Sequence, residues 1–272
     1  MNGIIACETL YPELPSLSPE SEFVYVPQWY HEFPIHTPES ERANEHLQSG
    51  IDQLESRGVD EIIVIYHDPG ALEGLQTEGV PLHVYRGRDC IEVQLTSESR
   101  GPGDERKRGN TYYLTRGWID VGVDSYKVYK AYAGAIEELL SQFEAAEREH
   151  PSMRVSWPES EQIRNAASRS ATMRTNAADL LRPIIESYIH VVLVDTGRLW
   201  PFHHEYAESF RDFLESTIGR GETPVSLTVE RGSTAELEKI VRTPAEVPDV
   251  ISLEPGAPVP KETGWRTGPQ HT

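Results

Sequence analysis

The feature that most constrains this fold is the run Glu61-Ile-Ile-Val-Ile-Tyr66, in which four consecutive aliphatic residues are closed by a tyrosine. A strand with one face in water alternates apolar and polar residues, so an unalternated run fits a strand covered on both faces, as in a parallel sheet. The run passes directly into His67-Asp68-Pro69-Gly70 and, after a second short strand, reaches Arg88-Asp89-Cys90. In open α/β sheets ligands bind outside the carboxyl ends of the strands, so polar groups at those ends are the first candidates for chemistry.

The rest of the chain supplies the partners such a strand needs. Further apolar runs predict strands over 3–7, 22–26, 81–85, 189–194, 225–229 and 249–253. Helices are predicted from Thr37, as N-cap with Pro38 behind it, to Gly58, and over 71–75, 204–214 and 234–241. In the first of these, Ala43, Leu47, Ile51 and Leu54 share one face. Asp89 is expected to cap a further helix over 89–96. A long amphipathic helix over 125–148 carries Tyr129, Tyr132, Ala133, Ile136, Leu140 and Phe143 at helical spacing, a stripe that reads as core packing rather than a cofactor platform.

A polar helical stretch over 159–188, divided at Pro183, completes this excursion before the strand at 189–194 resumes the sheet. The polar, glycine-rich stretch 97–110, with Arg106-Lys107-Arg108, reads as a solvated loop. The tail from Pro255 is rich in Pro, Gly and Thr and reads as disordered. The expected fold class is therefore α/β. One domain over 1–254 has a mainly parallel, doubly wound sheet with helices on both faces and a long helical excursion near 123–188, followed by a disordered tail over 255–272.

Charge narrows the partners. The 272 residues carry 44 acidic against 25 basic side chains, a net charge of -19, and only Lys107, Lys127, Lys130, Lys239 and Lys261 are lysine. Such a surface repels nucleic acid and anionic membranes. With a mean hydropathy of -0.50 disorder is one reading, but regular apolar segments along nearly the whole chain oppose it. The other reading is adaptation to high salt, where screening shortens to roughly 3 Å at 1 M. Cys7 and Cys90 are the only cysteines, too few for a disulfide framework, which points to a reducing cytoplasm. The start has no basic region and too short an apolar run for a signal peptide, and nowhere do ~18 apolar residues run together. A soluble, cytoplasmic protein is expected.

In a parallel sheet Cys7, His67, Asp68, Asp195 and the turn Arg231-Gly232-Ser233 all fall at one edge. A thiolate, an imidazole and a carboxylate together suit zinc or iron, although the spacing matches no compact metal motif. Each residue also has a plainer reading. Cys7 at the end of a buried strand is a small core residue, and Asp68 before Pro69-Gly70 is what a turn asks for. Ser233 is an ordinary N-cap beside the reading of Gly232-Ser233 as an anion site on free backbone N–H groups. Cys90, near a helix start that favours its thiolate, is the more reactive candidate of the two cysteines. His203-His204 can send at most one ring into a site, because adjacent helix residues face apart.

Taken together, the segments resemble an uncharacterised family of archaea and bacteria, domain of unknown function 1638. The resemblance runs through Ile4-Ile-Ala-Cys7, Tyr30-His31-Glu32-Phe33-Pro34, Gly74-Leu75, Asp89-Cys90-Ile91, Thr111-Tyr-Tyr-Leu-Thr115 with Gly117-Trp118-Ile119, Tyr188, Val194-Asp195-Thr196-Gly197 and Arg231-Gly232-Ser233. It covers roughly 3–255. Members often accompany genes for corrinoid-dependent methyltransferases and methylamine metabolism, which implies a one-carbon or methyl-transfer context. The resemblance implies Cys7, His31 and Cys90 as ligands, and it places Asp68 where relatives commonly carry a cysteine.

The expectation that follows is a metal-binding protein, an enzyme or accessory factor in corrinoid-linked methyl transfer, with zinc or iron held by Cys7, His31, Asp68 and Cys90. Asp195 and Tyr113 would serve proton transfer, Gly232 and Ser233 would touch a cofactor or small-molecule ligand, and a corrinoid or methyltransferase protein would be the partner. A competing expectation is a non-catalytic module that uses the same crevice for a small anion or a partner. A third is a scaffold in which the cysteines and histidines are structural.

Overall fold

A computed structural model gives the fold and describes residues 1–27, 39–87, 89–96, 110–122, 124, 126, 127, 129, 130, 185–216 and 224–261. The chain forms two compact units, Met1–Gly122 with Val191–Ala207 and Leu227–Thr272, and Val123–His190 with Glu208–Ser226.

The first unit is built on β1 (Asn2–Cys7), β2 (Glu22–Val26), β3 (Glu61–Ile65), β4 (Leu82–Tyr85) and β8 (Val250–Leu253), in the order β2-β1-β3-β4-β8. The first four are parallel, with Ile4 beside Phe23 and Ile63, and Ile62 beside Leu82. β8 closes the edge antiparallel to β4. Its helices are α1 (Leu14–Leu17), α2 (Glu39–Ser56), α3 (Pro69–Leu72), α4 (Arg116–Val121) and α6 (Ala235–Arg242), to which α5 (Pro201–Ser216) adds its first turns.

The apolar runs explain the layering. Side chains alternate across a strand, so Ile5, Cys7, Ile62 and Val64 meet Ala43, Leu47, Ile51 and Leu54 of α2 on one face. Ile4, Ala6, Ile63 and Ile65 meet Leu10, Leu14, Leu237, Ile240 and Val241 on the other. Each fully buried aliphatic side chain contributes about 1.5–3 kcal/mol, which makes this two-sided core the main source of stability. The doubly wound, mainly parallel α/β architecture expected from the Ile62 to Ile65 run is the one observed.

Some local expectations change. The strand expected to resume the sheet, now β6 (His190–Asp195), instead lies in a second, parallel sheet between β5 (Thr111–Leu114) and β7 (Ser226–Arg231). The helix expected over 89–96 is a single 3-10 turn, Glu92–Gln94. Residues 255–261, expected to be loose, are tied down: Gly74 N donates to Val259 O (3.0 Å), Val259 N to Leu75 O (2.8 Å), and Val259 is 2% exposed.

In the second unit Tyr129 packs against Phe213 at 5.1 Å between ring centroids, the packing role expected of it, and Tyr126 meets Phe210 edge-on at 6.2 Å. Asp124 accepts from Lys127 N at 2.9 Å. His31, the Thr37-Pro38 helix start, the loop over 97–109, residues 131–184 of the helical excursion and the tail from 262 lie outside the described residues. Among the described residues no helix is long and apolar enough to cross a membrane.

One close approach locks the site-bearing end of the first unit. The turn Glu8–Leu10 that follows β1 lies against α4, and a Cβ at Gly117 would stand 1.7 Å from the Thr9 carbonyl oxygen. Only glycine allows the two backbones this close. Gly117→Ala is expected to cost about 1–3 kcal/mol or more, since the atom it meets is backbone and cannot rotate away. A thermal melt checks this; an unchanged midpoint would mean the turn is not held there.

Candidate functional site

The site grows from the segment that leaves β1. Because both faces of β1 are buried, its first polar contacts come at its end and just beyond. Cys7 Sγ lies 3.2 Å from Thr9 Oγ1, and Thr9 Oγ1 donates to Cys90 Sγ at 3.4 Å. Cys90 also packs against the core cluster that contains Cys7. Cys90 follows β4, which is separated from β1 by β3, so the chain crosses the end of β3 to bring the two sulfurs together. Asp89 holds it there by accepting from Ile91 N (3.0 Å) and Glu92 N (2.7 Å). Gln94 Nε2 donates to Cys90 O at 3.3 Å.

Neither cysteine is in a disulfide; Cys7 is buried and Cys90 half-buried. The hydrogen bond to Cys7, then burial, then the charges of Cys7 and Asp89 hold the Cys90 thiol well above its usual range, opposed by the Thr9 hydroxyl. The pair therefore keeps a proton that an isolated cysteine would give up more readily.

Two residues on, Tyr11 donates to Asp120 Oδ2 at 2.8 Å. Asp120 also accepts from Arg116 Nε (3.2 Å) and from His203 Nε2 (3.1 Å). Trp200 N donates to His203 Nδ1 at 2.8 Å, which assigns the ring proton to Nε2, facing Asp120. Both ring nitrogens are thus occupied, and this buried His–Asp pair is a structural tie rather than a base waiting for a substrate. His204 is exposed while His203 is fully buried, as adjacent helix positions require. Burial raises the Asp120 pKa, but the donors Tyr11, His203 and Arg116 outweigh it and hold the carboxyl below its usual range. Arg116 in turn lies 4.9 Å over the Trp200 ring.

Two residues further, Glu13 is fully buried and accepts from Thr196 Oγ1 at 3.0 Å through Oε1. Its Oε2 and the Tyr25 hydroxyl have no hydrogen-bond partner among the described residues. Burial pushes the Glu13 carboxyl up against the pull of Thr196, Arg198 and Arg116. Burial, with the Glu13 charge, pushes Tyr25 up to about 12.

Thr196 also faces a cleft of about 590 Å³ at the ends of β6 and β7, lined by Asp195, Arg231, Gly232, Ser233 and Glu238 among others. Gly232 N donates to Asp195 O and Ser233 N to Gln94 O, both at 2.8 Å. Ser233 Oγ accepts from Ala235 N at 3.2 Å, but the N-cap position of α6 is Thr234, one residue later than the cap expected from the sequence. Asp195 Oδ1 accepts from Gly197 N at 2.7 Å, closing the turn after β6.

Among the expected site residues, then, the structure brings Cys7 and Cys90 together, and separately gathers Asp195, Gly232 and Ser233 in the cleft. Asp68 does not join the thiols: among the described residues no group of three or more His, Cys, Asp or Glu side chains could hold a metal. Its Oδ1 caps α3, accepting from Gly70 N (2.9 Å) and Ala71 N (3.3 Å), the turn role its Pro-Gly context asks for. Tyr113, on β5, packs with Leu95, Val192 and Val194. Thr9, Tyr11, Glu13 and Asp120 were not anticipated, and of His203-His204 it is His203 that is buried. The signal for Thr9, Tyr11 and Glu13 is position: alternate residues directly after the end of a strand buried on both faces.

The fold and this edge define a doubly wound α/β protein whose polar groups, a thiol pair among them, gather at the carboxyl ends of parallel strands. The chain belongs to the family described as Protein of unknown function (DUF1638), whose model matches residues 32–228. The match includes Asp68, Cys90, Tyr113 and Asp195, while Cys7, His31, Gly232 and Ser233 precede or follow it. No curated protein and no solved structure matches the chain.

The Asp120 tie has a pH signature. A carboxyl held below its unfolded value adds stability that is present above the unfolded pKa, about 3.9, and is lost as pH falls through the folded one. Asp120→Asn is expected to lower stability at pH 7 by about 2 kcal/mol, the worth of hydrogen bonds to a charged group. The gap from the unaltered protein should begin to narrow below roughly pH 4 and close only as pH falls through the lowered folded pKa, where both side chains become neutral. Denaturant melts across this range test it, and a gap that does not depend on pH would remove the charge from the explanation.

Proposed function

We propose that this protein binds a thiophilic metal ion, zinc or iron, through Cys7 and Cys90, and works as an enzyme or accessory factor in corrinoid-linked methyl transfer. The observation that supports it is the meeting of two thiols, 83 positions apart in sequence, on one threonine hydroxyl. Two sulfur donors suit zinc, iron–sulfur or copper(I) chemistry, and a carboxylate like Asp68 is the harder ligand that such a site can do without. His31, a ligand implied by the family resemblance, lies outside the described residues. A bound metal would supply Lewis acidity at positions the protein leaves to substrate or partner. Thr9 would donate to a thiolate sulfur, and Asp89 would keep the Cys90 turn in place. The gene company of the family supports one-carbon metabolism as the setting.

Elemental analysis of protein purified without added metal is expected to find about one equivalent, and the content should fall sharply in Cys7→Ala and Cys90→Ala. Less than about a tenth of an equivalent, unchanged by Cys90→Ala, would sink the reading.

A second reading, a non-catalytic module for a small anion, is favoured by the cleft at Gly232 and Ser233. The carboxylates of Asp195, Glu230 and Glu238 that line it weigh against an anion. Thermal shift with inorganic pyrophosphate separates the readings, since a ligand at a hundred times its dissociation constant stabilises by about 2.7 kcal/mol. The first reading expects no shift.

A further inference from the structure

We propose that Cys7 and Cys90 close reversibly into an intramolecular disulfide, so that the oxidation state of the pair controls whether the site can take a metal. The control rests on the metal reading above; the disulfide itself rests only on the two sulfurs. They are the only cysteines in the chain, and both contact one hydroxyl, at 3.2 and 3.4 Å. Cys90 also packs against the core cluster that contains Cys7, so closure needs a local shift rather than unfolding.

The pair is asymmetric in access, with Cys7 buried and Cys90 half-buried. That asymmetry suits the two steps of thiol–disulfide exchange. The Cys90 sulfur, deprotonated, attacks one sulfur of a low-molecular-weight disulfide; the S–S bond of that reagent breaks and one of its thiols leaves with a proton. The Cys7 sulfur then attacks Cys90 in the mixed disulfide, expelling the second thiol. Two protein thiols are oxidised by two electrons, one small disulfide is reduced to two thiols, and no other reactant is required.

Cys7 also fits the resolving role because burial shields it from reagents while leaving it in contact with Cys90. The loop so closed would span β1 to the turn after β4 and include β3. In a reducing compartment such a bond is transient and redox-sensing rather than a permanent staple.

The test uses the full chain, chelated and reduced, then exposed to oxidised glutathione. Counting thiols with N-ethylmaleimide after denaturation is expected to fall from two per chain to none, with a monomer mass lower by two hydrogens and a higher melting temperature. Cys7→Ser should instead stop at a glutathione adduct on Cys90, and Cys90→Ser should react slowly. The proposal is overturned if the unaltered chain keeps two reactive thiols, ends as a glutathione adduct, or forms only disulfide-linked dimers.

Metal uptake is measured separately on reduced and oxidised protein. Uptake by the reduced form alone supports the control. Closure with no uptake in either state removes the metal reading, and with it the control, but keeps the disulfide. Uptake without closure removes the disulfide and keeps the metal.

Discussion

β1 is buried on both faces, and that constraint decides where this chain can place polar chemistry. Ile4, Ile5 and Ala6 are fully buried, so no polar side chain can be introduced within the strand without leaving an unpaired group in the core. The chemistry begins at the strand's end with Cys7, and from there Thr9, Tyr11 and Glu13 each take a different partner: Cys90, Asp120 and Thr196 are reached by side chains only two residues apart. The contact of Gly117 with the Thr9 carbonyl fixes the middle of that segment. One short turn therefore ties the end of β1 to the turn after β4, to α4 and to the end of β6.

The buried polar groups along this turn have different electrostatic fates. Asp120 stays ionised because tyrosine, histidine and arginine donate to it together, which offsets its burial. Glu13 has one hydroxyl donor for two oxygens, and burial prevails. The thiols solve the problem by sharing: Cys90 holds its proton against Cys7. A chain with a net charge of -19 has little positive charge to spare, and it spends Arg116 on Asp120, where the guanidinium is also stacked on Trp200.

Much of the fold was legible because periodicity reports burial. The unalternated runs of β1 and β3 and the Ala43, Leu47, Ile51, Leu54 stripe of α2 specify which faces are covered, and covered faces specify a parallel, two-sided sheet. Sheet membership was not legible: the apolar run of β6 is compatible with either sheet, and pairing depends on long-range register that no local pattern encodes. In the site, the cysteines were readable as residue types at strand ends, but their meeting depends on the sheet order, which sets β3 between β1 and β4. Asp68 misled because a carboxylate after a strand looks like a ligand, whereas its own Pro-Gly neighbours needed it as a cap. Asp120 was hidden, and so was its pairing with His203, because each lies in a helix whose pattern gives no hint of a partner from another element.

The thiol pair joins these themes. The proposed metal and the proposed disulfide make the same demand on Cys7 and Cys90, which is that both lose their protons. The surroundings resist that loss: the neighbouring sulfur, burial and the Asp89 charge all act against a Cys90 thiolate, and only Thr9 favours it. A lone alkylating or acyl-accepting nucleophile needs the reverse arrangement, a lowered pKa and an open approach. The environment therefore suits a Cys90 thiol that rests protonated, where a cation or a sulfur–sulfur bond would take the place of that proton. A divalent cation does so directly, since its charge cancels the repulsion that keeps the second proton on. The same argument makes the occupancy of the pair depend on pH, because every proton the site holds in its resting state must be displaced by whatever binds there.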